Sequence, residues 1–334
     1  MGGIFLKILL AGGAGYIGSH IAACLLEKGY DVIIADNFSN SSADIPERLQ
    51  KITGKMPITY SIDIAKKQPL EKLFRETKPE AVIHLAGFKA VGESVEKPLK
   101  YYKNNLKSTI RLIEVMKNHD VRQLIFSSSA TVYGDLTTLP YTEDMESGEI
   151  SNPYGRTKQM IEQIIIDEAA VGGIDAVILR YFNPVGAHKS GLLGEKPQGV
   201  PNNLMPYISQ VAEGILPQLK VFGNDYPTKD GTGVRDYIHV VDLAEGHVAA
   251  IDYCQKHPGV EIFNLGTGQG RSVLELIETY ERVNNKKIPY EIAPRRAGDL
   301  PECYADVTKA AELLRWKAEL GLEDMCRDTY RSKM

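Results

Sequence analysis

A tyrosine and a lysine four residues apart, Tyr154 and Lys158, offer the clearest proton-transfer chemistry in this 334-residue sequence. Residues 154–171 follow a helical pattern, and side chains four apart lie on one helix face. A tyrosine has an ordinary pKa of about 10, and lowering it to about 7 takes roughly 4 kcal/mol of phenolate stabilisation. A neighbouring ammonium supplies part of this stabilisation. The spacing therefore predicts Tyr154 as an acid–base group that Lys158 activates.

A run of serines at 127–129 lies about 25 residues before Tyr154, directly after an apolar stretch. If that stretch is a strand of an open α/β sheet, the serines lie at its carboxyl end, where such sheets bind ligands. A serine at this place can share a hydrogen bond with a substrate hydroxyl and with the phenol. Together with the Tyr–Lys pair, the serines predict a site that acts on a substrate hydroxyl.

Four glycines near the N-terminus form a loop between an apolar stretch and a helical pattern. Gly13, Gly15 and Gly18 fit the spacing GxGxxG, and Gly12, Gly15 and Gly18 fit GxxGxxG. Glycine permits a tight turn, lets the backbone approach a pyrophosphate and allows close packing of helix on strand. The helix N-terminus behind such a loop offers free N–H groups and a positive dipole end to phosphates. The loop therefore predicts dinucleotide binding.

The acid at the end of the second apolar stretch, Asp36, indicates which dinucleotide binds. It follows the glycines by about 20 residues, where a carboxylate accepts hydrogen bonds from a ribose diol. A carboxylate also repels a 2′-phosphate, and no arginine lies beside Asp36 in the sequence to reverse that preference. We therefore expect NAD rather than NADP as the cofactor.

The elements that would position these residues alternate regularly through the first 180 residues. Short β-branched apolar runs alternate with longer amphipathic stretches, which predicts a parallel sheet with helices on both faces. We expect strands at 6–10, 31–35, 81–85, 123–126 and 176–179, and helices at 19–28, 70–76, 98–118 and 154–171. The predicted fold class is α/β, a Rossmann-type doubly wound parallel sheet with a smaller, irregular α/β C-terminal substrate domain.

The composition changes near residue 183, and glycine, proline and asparagine accumulate from there to residue 236. Such a stretch predicts loops, and loops often carry binding function. The remaining expected elements are helices at 204–214, 240–254 and 272–283 and a strand at 261–265. We predict an NAD-binding domain at 1–183 and a substrate-binding domain at 184–334, with parts of 236–265 returning to the first domain.

Composition narrows the class of protein and its partners. A net charge of -4 and a pI near 6.0 give no reason to expect nucleic acid. Cys24, Cys254, Cys303 and Cys326 form no CxxC pair and no zinc spacing, so we expect free thiols in a reducing cytoplasm and no metal. The apolar run at 1–14 is predicted to be a buried strand rather than a signal peptide. No stretch has the 18 or so apolar residues of a membrane helix, so no membrane partner is expected.

The chain resembles the extended short-chain dehydrogenase/reductase superfamily, and within it the UDP-galactose 4-epimerase family. The resemblance runs from about Lys7 to the final helix. It rests on six segments, which are GGAGYIGSH at 12–20, HLAGFKAVGES at 84–94, SSSATVYGD at 127–135, RYFNPVGA at 180–187, PNNLMPY at 201–207 and GTGVRDYIH at 231–239.

The resemblance implies a role for individual residues. Tyr154 is the implied acid–base group, Lys158 lowers its pKa and binds the nicotinamide ribose, and Ser129 assists at the sugar 4-hydroxyl. The residues implied to hold NAD are Gly12, Gly15, Tyr16, Ile17, Gly18, Asp36, Asn37, Asp63, Ile64, Ala86, Lys89, Asn104, Tyr154, Lys158 and Tyr181. Those implied to hold the UDP-sugar are Ser129, Tyr154, Asn183, Asn203, Leu204, Phe222, Arg235, Tyr237, Arg296, Asp299 and Cys303. Arginine also suits a diphosphate on chemical grounds, because it binds phosphate through two parallel hydrogen bonds.

The implied reaction inverts C4 of UDP-glucose or UDP-galactose through a 4-keto sugar, in a homodimer that keeps its NAD bound. A sugar 4,6-dehydratase would need acids after the serine, where this chain has Ala130 and Thr131. A decarboxylase that makes UDP-xylose would need a glutamate in the same neighbourhood. A non-catalytic NAD-binding regulator would have no reason to keep Ser129, Tyr154 and Lys158 together.

Cys303 bears on the range of substrates. Members of the resembled family carry either a bulky tyrosine or a smaller residue at this place, beside the 2-position of the sugar. A small side chain leaves room for an N-acetyl group, so we also expect activity on UDP-GlcNAc and UDP-GalNAc. The alternative is that Cys303 is only a small buried hydrophobic residue.

Overall fold

The computed structural model describes residues 6–196, 201, 203–296 and 298–332. Its strands, in chain order, are β1 (Lys7–Ala11), β2 (Asp31–Asp36), β3 (Ile58–Ser61), β4 (Ala81–His84), β5 (Gln123–Ser129), β6 (Asp175–Tyr181), β7 (Asn183–Val185), β8 (Leu219–Phe222), β9 (Val234–His239), β10 (Val260–Leu265), β11 (Gly270–Ser272), β12 (Tyr290–Ala293) and β13 (Glu302–Cys303). Its α-helices are α1 (Tyr16–Glu27), α2 (Ile45–Thr53), α3 (Lys67–Thr77), α4 (Val91–Glu96), α5 (Pro98–Asn118), α6 (Pro153–Ala170), α7 (Leu204–Ala212), α8 (Val240–Cys254), α9 (Val273–Asn284) and α10 (Leu322–Arg331).

Seven strands form one sheet in the order β10–β6–β5–β4–β1–β2–β3, and every neighbouring pair is parallel. Successive side chains of a strand point to opposite faces of the sheet. In β1, Ile8 and Leu10 therefore enter one hydrophobic core, while Leu9 and Ala11 enter another. The continuous apolar run thus reflects burial on both faces, and the predicted doubly wound α/β fold is confirmed.

Helices cover both faces of this sheet. Leu25 of α1 and Ile251 of α8 belong to the first core, and these two helices pack against each other. Leu73 of α3, Leu112 of α5 and Ile165 of α6 belong to the second core. Because a parallel pair of strands needs a crossover between them, all the carboxyl ends of the strands meet at one edge.

The segment 236–265 contributes to the large sheet. β10 pairs with β6 along its whole length, with Val260 opposite Ala176 and Leu265 opposite Tyr181. The side chain of His247, in α8, hydrogen bonds the Tyr181 hydroxyl at the end of β6. The division of the chain into two binding domains at residue 183 stays a prediction.

The remaining strands form small sheets around a third core. β9 pairs with β11, β13 and β7, and β12 pairs with β8. The third core includes Ile208 of α7, Leu276 and Tyr280 of α9, and Met325 of α10. The stretch 183–236, for which we predicted loops and one helix, therefore also contains β7, β8 and the start of β9.

Most predicted boundaries are close to the observed ones. The helices predicted at 98–118 and 240–254 begin and end at those residues. The helix predicted at 272–283 begins one residue later, because Ser272 caps it: the Ser272 hydroxyl accepts from the Glu275 backbone N–H, and the Glu275 side chain accepts from the Ser272 N–H. The run predicted as a strand at 1–14 becomes β1 from Lys7 onward, and Met1–Phe5 lie outside the described residues. Within the described ranges, no helix combines the length and the apolar character needed to cross a membrane.

Candidate active site

The start of α6 places Tyr154 above the carboxyl end of the sheet. Pro153 occupies the first turn, where its missing N–H costs nothing. The side-chain oxygen of Asn152 accepts a hydrogen bond from the backbone N–H of Gly155 at 2.8 Å, which caps the helix. Tyr154 therefore lies in the first turn of a well-capped helix, and it is half-buried.

Lys158 lies one helical turn further on and is buried. Its Nζ donates to the backbone oxygen of Ser127 at 2.5 Å. It also lies 4.8 Å from the ring centroid of Phe126 and 5.9 Å from that of Tyr154. Burial lowers the pKa of Lys158 to about 8, because the ammonium loses its hydration.

The phenol of Tyr154 and the hydroxyl of Ser129 interact at the end of β5. Burial raises the pKa of Tyr154 above its ordinary value, and Ser129 lowers it. The Lys158 ammonium donates to the Ser127 carbonyl and lies beside the Tyr154 ring, and its lowering of the Tyr154 pKa stays a prediction. Ser129 also accepts hydrogen bonds from the backbone N–H and the hydroxyl of Thr131, at 3.3 and 3.1 Å.

The glycine loop joins β1 to α1, and its backbone packs too closely against neighbouring backbone to admit larger residues. Gly12 has a φ of +86°, and a Cβ added there would lie 2.7 Å from the backbone nitrogen of Ala86. A Cβ on Gly18 would lie 2.6 Å from the carbonyl oxygen of Gly12. Gly15 is the N-cap of α1 and provides no side-chain cap. The first-turn N–H groups of α1 are thus free to bind a phosphate.

Asp36 ends β2 beside this loop and is buried. Its carboxylate accepts from the backbone N–H groups of Ala14 and Phe38, at 3.0 and 2.9 Å, and from the hydroxyl of Ser41 at 3.0 Å. These bonds fix both oxygens at the edge of the sheet. A carboxylate has about four lone-pair sites, so acceptor capacity remains for a ribose diol.

The other predicted NAD residues lie around the same edge. Asn37, Asp63, Ile64 and Ala86 follow β2, β3 and β4, and Tyr181 is the last residue of β6. Tyr16, Ile17 and Gly18 form the first turn of α1, Asn104 is in α5, and Lys89 is in the loop after β4. A tight glycine turn, a helix N-terminus and a fixed acid at one edge fit a dinucleotide such as NAD.

A carboxylate connects the predicted cofactor and substrate residues. Glu195 accepts hydrogen bonds through Oε1 from Lys89 Nζ at 3.1 Å and from Asn203 Nδ2 at 3.2 Å. Nearby, the hydroxyl of Tyr16 donates to the backbone oxygen of Gly186 at 2.7 Å. The Lys89–Glu195 and Tyr16–Gly186 contacts thus connect the loop after β4 and the start of α1 to the segments that follow β6.

Four of the predicted UDP-sugar residues form one cluster. Arg296 donates to Asp299 through Nε at 2.8 Å and lies 4.9 Å from the ring centroid of Phe222. Arg235 lies 3.9 Å from the same carboxylate and donates to the backbone oxygens of Val234 and Leu300, at 2.8 and 3.0 Å. The two guanidinium groups that share Asp299 can bind a diphosphate, and the Phe222 ring beside Arg296 can stack a base.

The remaining predicted substrate residues belong to neighbouring strands and α7. Asn183 pairs with Tyr237 between β7 and β9, and Cys303 pairs with Arg235 between β13 and β9. Burial raises the pKa of Tyr237 to about 12. Leu204 begins α7 and packs against the third core.

Cys303 and the end of β5 meet in a fourth hydrophobic cluster. Cys303 and Ala130, the residue after Ser129, both pack against its buried core, which includes Val132 and Tyr133. The predicted sugar-binding strand and the predicted catalytic serine therefore border the same small region.

Asn105 is a site residue that the sequence analysis did not single out. Its side chain accepts from the Phe88 N–H at 2.9 Å and donates to the Phe88 carbonyl at 3.1 Å and to the Thr157 hydroxyl at 3.1 Å. Thr157 in turn donates to the Tyr154 carbonyl at 2.7 Å. The sequence signal was a polar residue on the buried stripe of α5, between Tyr101 and Ser108.

Comparison with known proteins identifies the family. Residues 8–266 match the family described as the NAD dependent epimerase/dehydratase family. The chain is 55% identical over 327 residues to the UDP-glucose 4-epimerase of Bacillus subtilis (strain 168), covering 98% of this chain and 96% of that protein. It is similar to the crystal structure of the Bifidobacterium longum UDP-glucose 4-epimerase in complex with NAD+ and UDP, with 53% identity, a TM-score of 0.94 and 98% of each chain covered.

A relative with a broader name has the same fold. The UDP-Glc/GlcNAc 4-epimerase of Campylobacter jejuni is 37% identical, with a TM-score of 0.85 over 98% of this chain and 99% of that chain. Likeness of this extent, from the sheet to the substrate loops, shows that the chain belongs to the UDP-glucose 4-epimerases of the NAD dependent epimerase/dehydratase family.

Proposed function

We propose that the chain interconverts UDP-glucose and UDP-galactose by inverting C4 of the sugar through a 4-keto intermediate, with NAD bound throughout. The observation that carries this proposal is the placement of Tyr154, Lys158 and Ser129 at the carboxyl edge of the sheet that holds the glycine loop. The enzymes at 55% and 53% identity, named UDP-glucose 4-epimerases, support the same reaction.

Tyr154, Ser129 and Lys158 together transfer the proton of the sugar 4-hydroxyl. The Tyr154 phenolate takes the proton from the sugar 4-hydroxyl, and the Ser129 hydroxyl shares a hydrogen bond with the same oxygen. The Lys158 ammonium stabilises the phenolate. NAD, when bound, supplies reversible hydride transfer at C4. Tyr154 returns the proton after the keto sugar has presented its other face.

The UDP-sugar residues must hold the nucleotide firmly and the hexose loosely. Arg235 and Arg296 bind the diphosphate, and Phe222 lies beside Arg296 where a base can stack. Asp299 orients both guanidinium groups. The substrate site is completed by Asn183, Asn203, Leu204 and Tyr237. The hexose turns about its bonds to the fixed diphosphate.

The same site accommodates N-acetylated sugars. Cys303 is a small side chain in β13, opposite Arg235 and near Ala130. The relative named for UDP-Glc and GlcNAc supports a range of substrates in this family. We therefore include UDP-GlcNAc and UDP-GalNAc among the substrates.

The alternative reactions lack a proton donor. Ala130 has no ionisable group, and the Thr131 hydroxyl is a donor to Ser129. A dehydratase or decarboxylase would need an acid at this place. A non-catalytic NAD-binding regulator is disfavoured because the Tyr–Lys–Ser arrangement is complete.

A homodimer in the cytoplasm is part of the proposal. The homodimer is supported by apolar side chains on the packed helices α4, α5 and α6, where Val95 is 60% exposed and Leu99 is 81% exposed. Val91, Ile110 and Met160 are further exposed apolar side chains on these helices. Sedimentation should give twice the chain mass of 37.0 kDa, and Leu99→Glu should reduce it to one chain.

The first test is an assay of the purified protein without added cofactor. UDP-galactose and UDP-GalNAc are supplied separately, and 4-epimerised product is measured. We expect both to react. Turnover of UDP-galactose alone would keep the reaction and remove the N-acetyl substrates. Bound NAD with no turnover of either would refute the substrate assignment.

A further inference from the structure

A buried ion pair lies directly beneath the proposed catalytic residues. Arg180 of β6 donates to Glu162 of α6 through two bonds, Nε to Oε1 at 3.1 Å and Nη2 to Oε2 at 2.8 Å. Glu162 is only 5% exposed and Arg180 only 8%. Removing two charges from water is costly, and a buried pair is often no more stabilising than apolar residues of the same size. A packing role alone therefore does not account for it.

Both partners are anchored from several sides. Arg180 also donates to the Glu143 carbonyl at 3.1 Å and lies 4.9 Å from the ring centroid of Tyr133. The Ser128 hydroxyl donates to the Glu162 carboxylate. Ser128 and Arg180 are direct neighbours in the register of β5 and β6. The pair thus holds the end of β5 to α6.

The anchored serine is the middle one of three. Ser127 provides the carbonyl that accepts from Lys158, and Ser129 provides the hydroxyl beside Tyr154. Glu162 follows Lys158 by four residues, so the two side chains share a helix face that also includes Tyr154. The Glu162 carboxylate therefore accepts a hydrogen bond from the serine run and acts on the lysine through its charge.

We propose that Glu162 and Arg180 are positioning residues for the epimerase reaction, which fix Ser127 and Ser129 and keep the buried Lys158 in its ammonium form. The inference rests on the proposed epimerase function and deepens it. Neither residue touches the reacting atoms. Glu162 acts through its negative charge on Lys158, and Arg180 limits that charge and fixes its position.

The charges around Lys158 agree with this role. Burial lowers the pKa of Lys158, and Glu162 is the group that raises it. Burial, and after it the charge of Lys158, lower the pKa of His84 to about 3, so His84 is neutral in the working range. The other titratable groups that face this region are Tyr154 and Glu162 on α6, Arg180 and Tyr181 on β6, Tyr101 and Glu93 near Tyr154, and Tyr133 and Glu143 near Arg180.

The test is the pH dependence of epimerisation for two variants, one that removes the negative charge of the pair and one that removes the positive charge. Glu162→Gln leaves Arg180 unpaired, so the Lys158 ammonium is disfavoured and the alkaline loss of kcat/KM moves to lower pH by about one unit. Arg180→Met leaves Glu162 unpaired, so the ammonium is favoured and the alkaline loss moves to higher pH. A purely structural role would reduce activity in both variants without opposite shifts, and that result would overturn the proposal.

Matched controls separate charge from damage. Asp175→Asn breaks an ion pair with Arg122 at the opposite ends of the same two strands, and its pH profile should stay unchanged. The double variant Glu162→Gln/Arg180→Met removes both charges, and its alkaline limb should lie between those of the two single variants.

A milder variant covers the case in which a single charge variant does not fold. Ser128→Ala removes one hydrogen-bond donor from Glu162, which leaves more of the carboxylate charge to act on Lys158. The alkaline loss of kcat/KM should therefore move to higher pH by a few tenths of a unit, and no movement would contradict the proposal. The unaltered enzyme is assayed first. If it does not epimerise, the proposed function fails; if it does and the variants show no shifts of the expected sign, only this inference fails.

Discussion

At the scale of single residues, the proposed proton transfer depends on one phenol oxygen. Tyr154→Phe removes that oxygen and keeps the ring in the first turn of α6. General acid–base catalysis contributes about a hundredfold to ten-thousandfold, so we expect kcat to fall by at least about a hundredfold. NAD content, measured by absorbance after denaturation, should be unchanged. Tyr253→Phe, on α8, is the matched control and should keep full activity.

Cys303 sets a second prediction at this scale. Cys303→Tyr adds a ring between β13 and the end of β5, so it should reduce the activity on UDP-GalNAc at least tenfold. Activity on UDP-galactose should change by less than about threefold, since contact differences in a pocket discriminate by roughly tenfold to two-hundredfold. Cys303→Ser keeps the size and should retain both activities. An equal loss for both substrates would argue against this role of Cys303.

At the scale of elements, α5 holds the loop after β4 through one buried amide. Asn105→Ala leaves the Phe88 N–H and carbonyl without their side-chain partner, at a cost of about 2 kcal/mol. The free energy of unfolding should fall by that amount, and NAD should dissociate faster because Lys89 is in the same loop. Asn118→Ala, an exposed change at the end of α5, is the control and should cost under about 0.5 kcal/mol. Unfolding is followed by circular dichroism in urea.

The sequence predicted the buried parallel strands best, because their apolar runs are continuous. β3 was missed, since its residues Ile58–Ser61 lie at the sheet edge and are only partly buried. β7 has three residues including a proline, and β13 has two, so neither is long enough to show a period. These strands form through pairing with β9, which is a tertiary effect that no local pattern reports.

The predicted site divides in the same way. The glycine loop, Asp36 and the Tyr–Lys pair follow from spacing, because each motif is local in sequence. Asn105, Glu162 and Arg180 did not follow, because their importance depends on contacts between α5, α6 and β6. The sequence signal for Glu162 was its spacing, because Tyr154, Lys158 and Glu162 follow one another at intervals of four along one helix.

At the scale of the whole molecule, buried neutral histidines predict acid lability. Burial lowers the pKa of His20 and His84 to about 3 and that of His247 to about 4, while the unfolded value is about 6.5. A depressed pKa contributes stability that is complete above pH 6.5 and is lost as the pH falls through the folded values, because the unfolded chain binds the proton first.

The expected loss is on the order of 3 kcal/mol between pH 7 and pH 5.5 for the three histidines together. It is measured as the free energy of unfolding in urea at each pH. His20→Gln removes one titrating group and should reduce the difference between the two pH values by about a third. The same difference in this variant and the unaltered protein would contradict the assignment.

The pairing of β10 with β6 has a consequence for biosynthesis. During translation, β6 emerges long before β10, and its edge from Ala176 to Tyr181 stays open meanwhile. An open strand edge invites pairing with other chains, so the nascent protein passes through an aggregation-prone interval that a chaperone would shorten. Tyr181 meets His247 only after α8 has left the ribosome, so the cofactor site is finished late, and capture of the dinucleotide belongs to the last stage of synthesis.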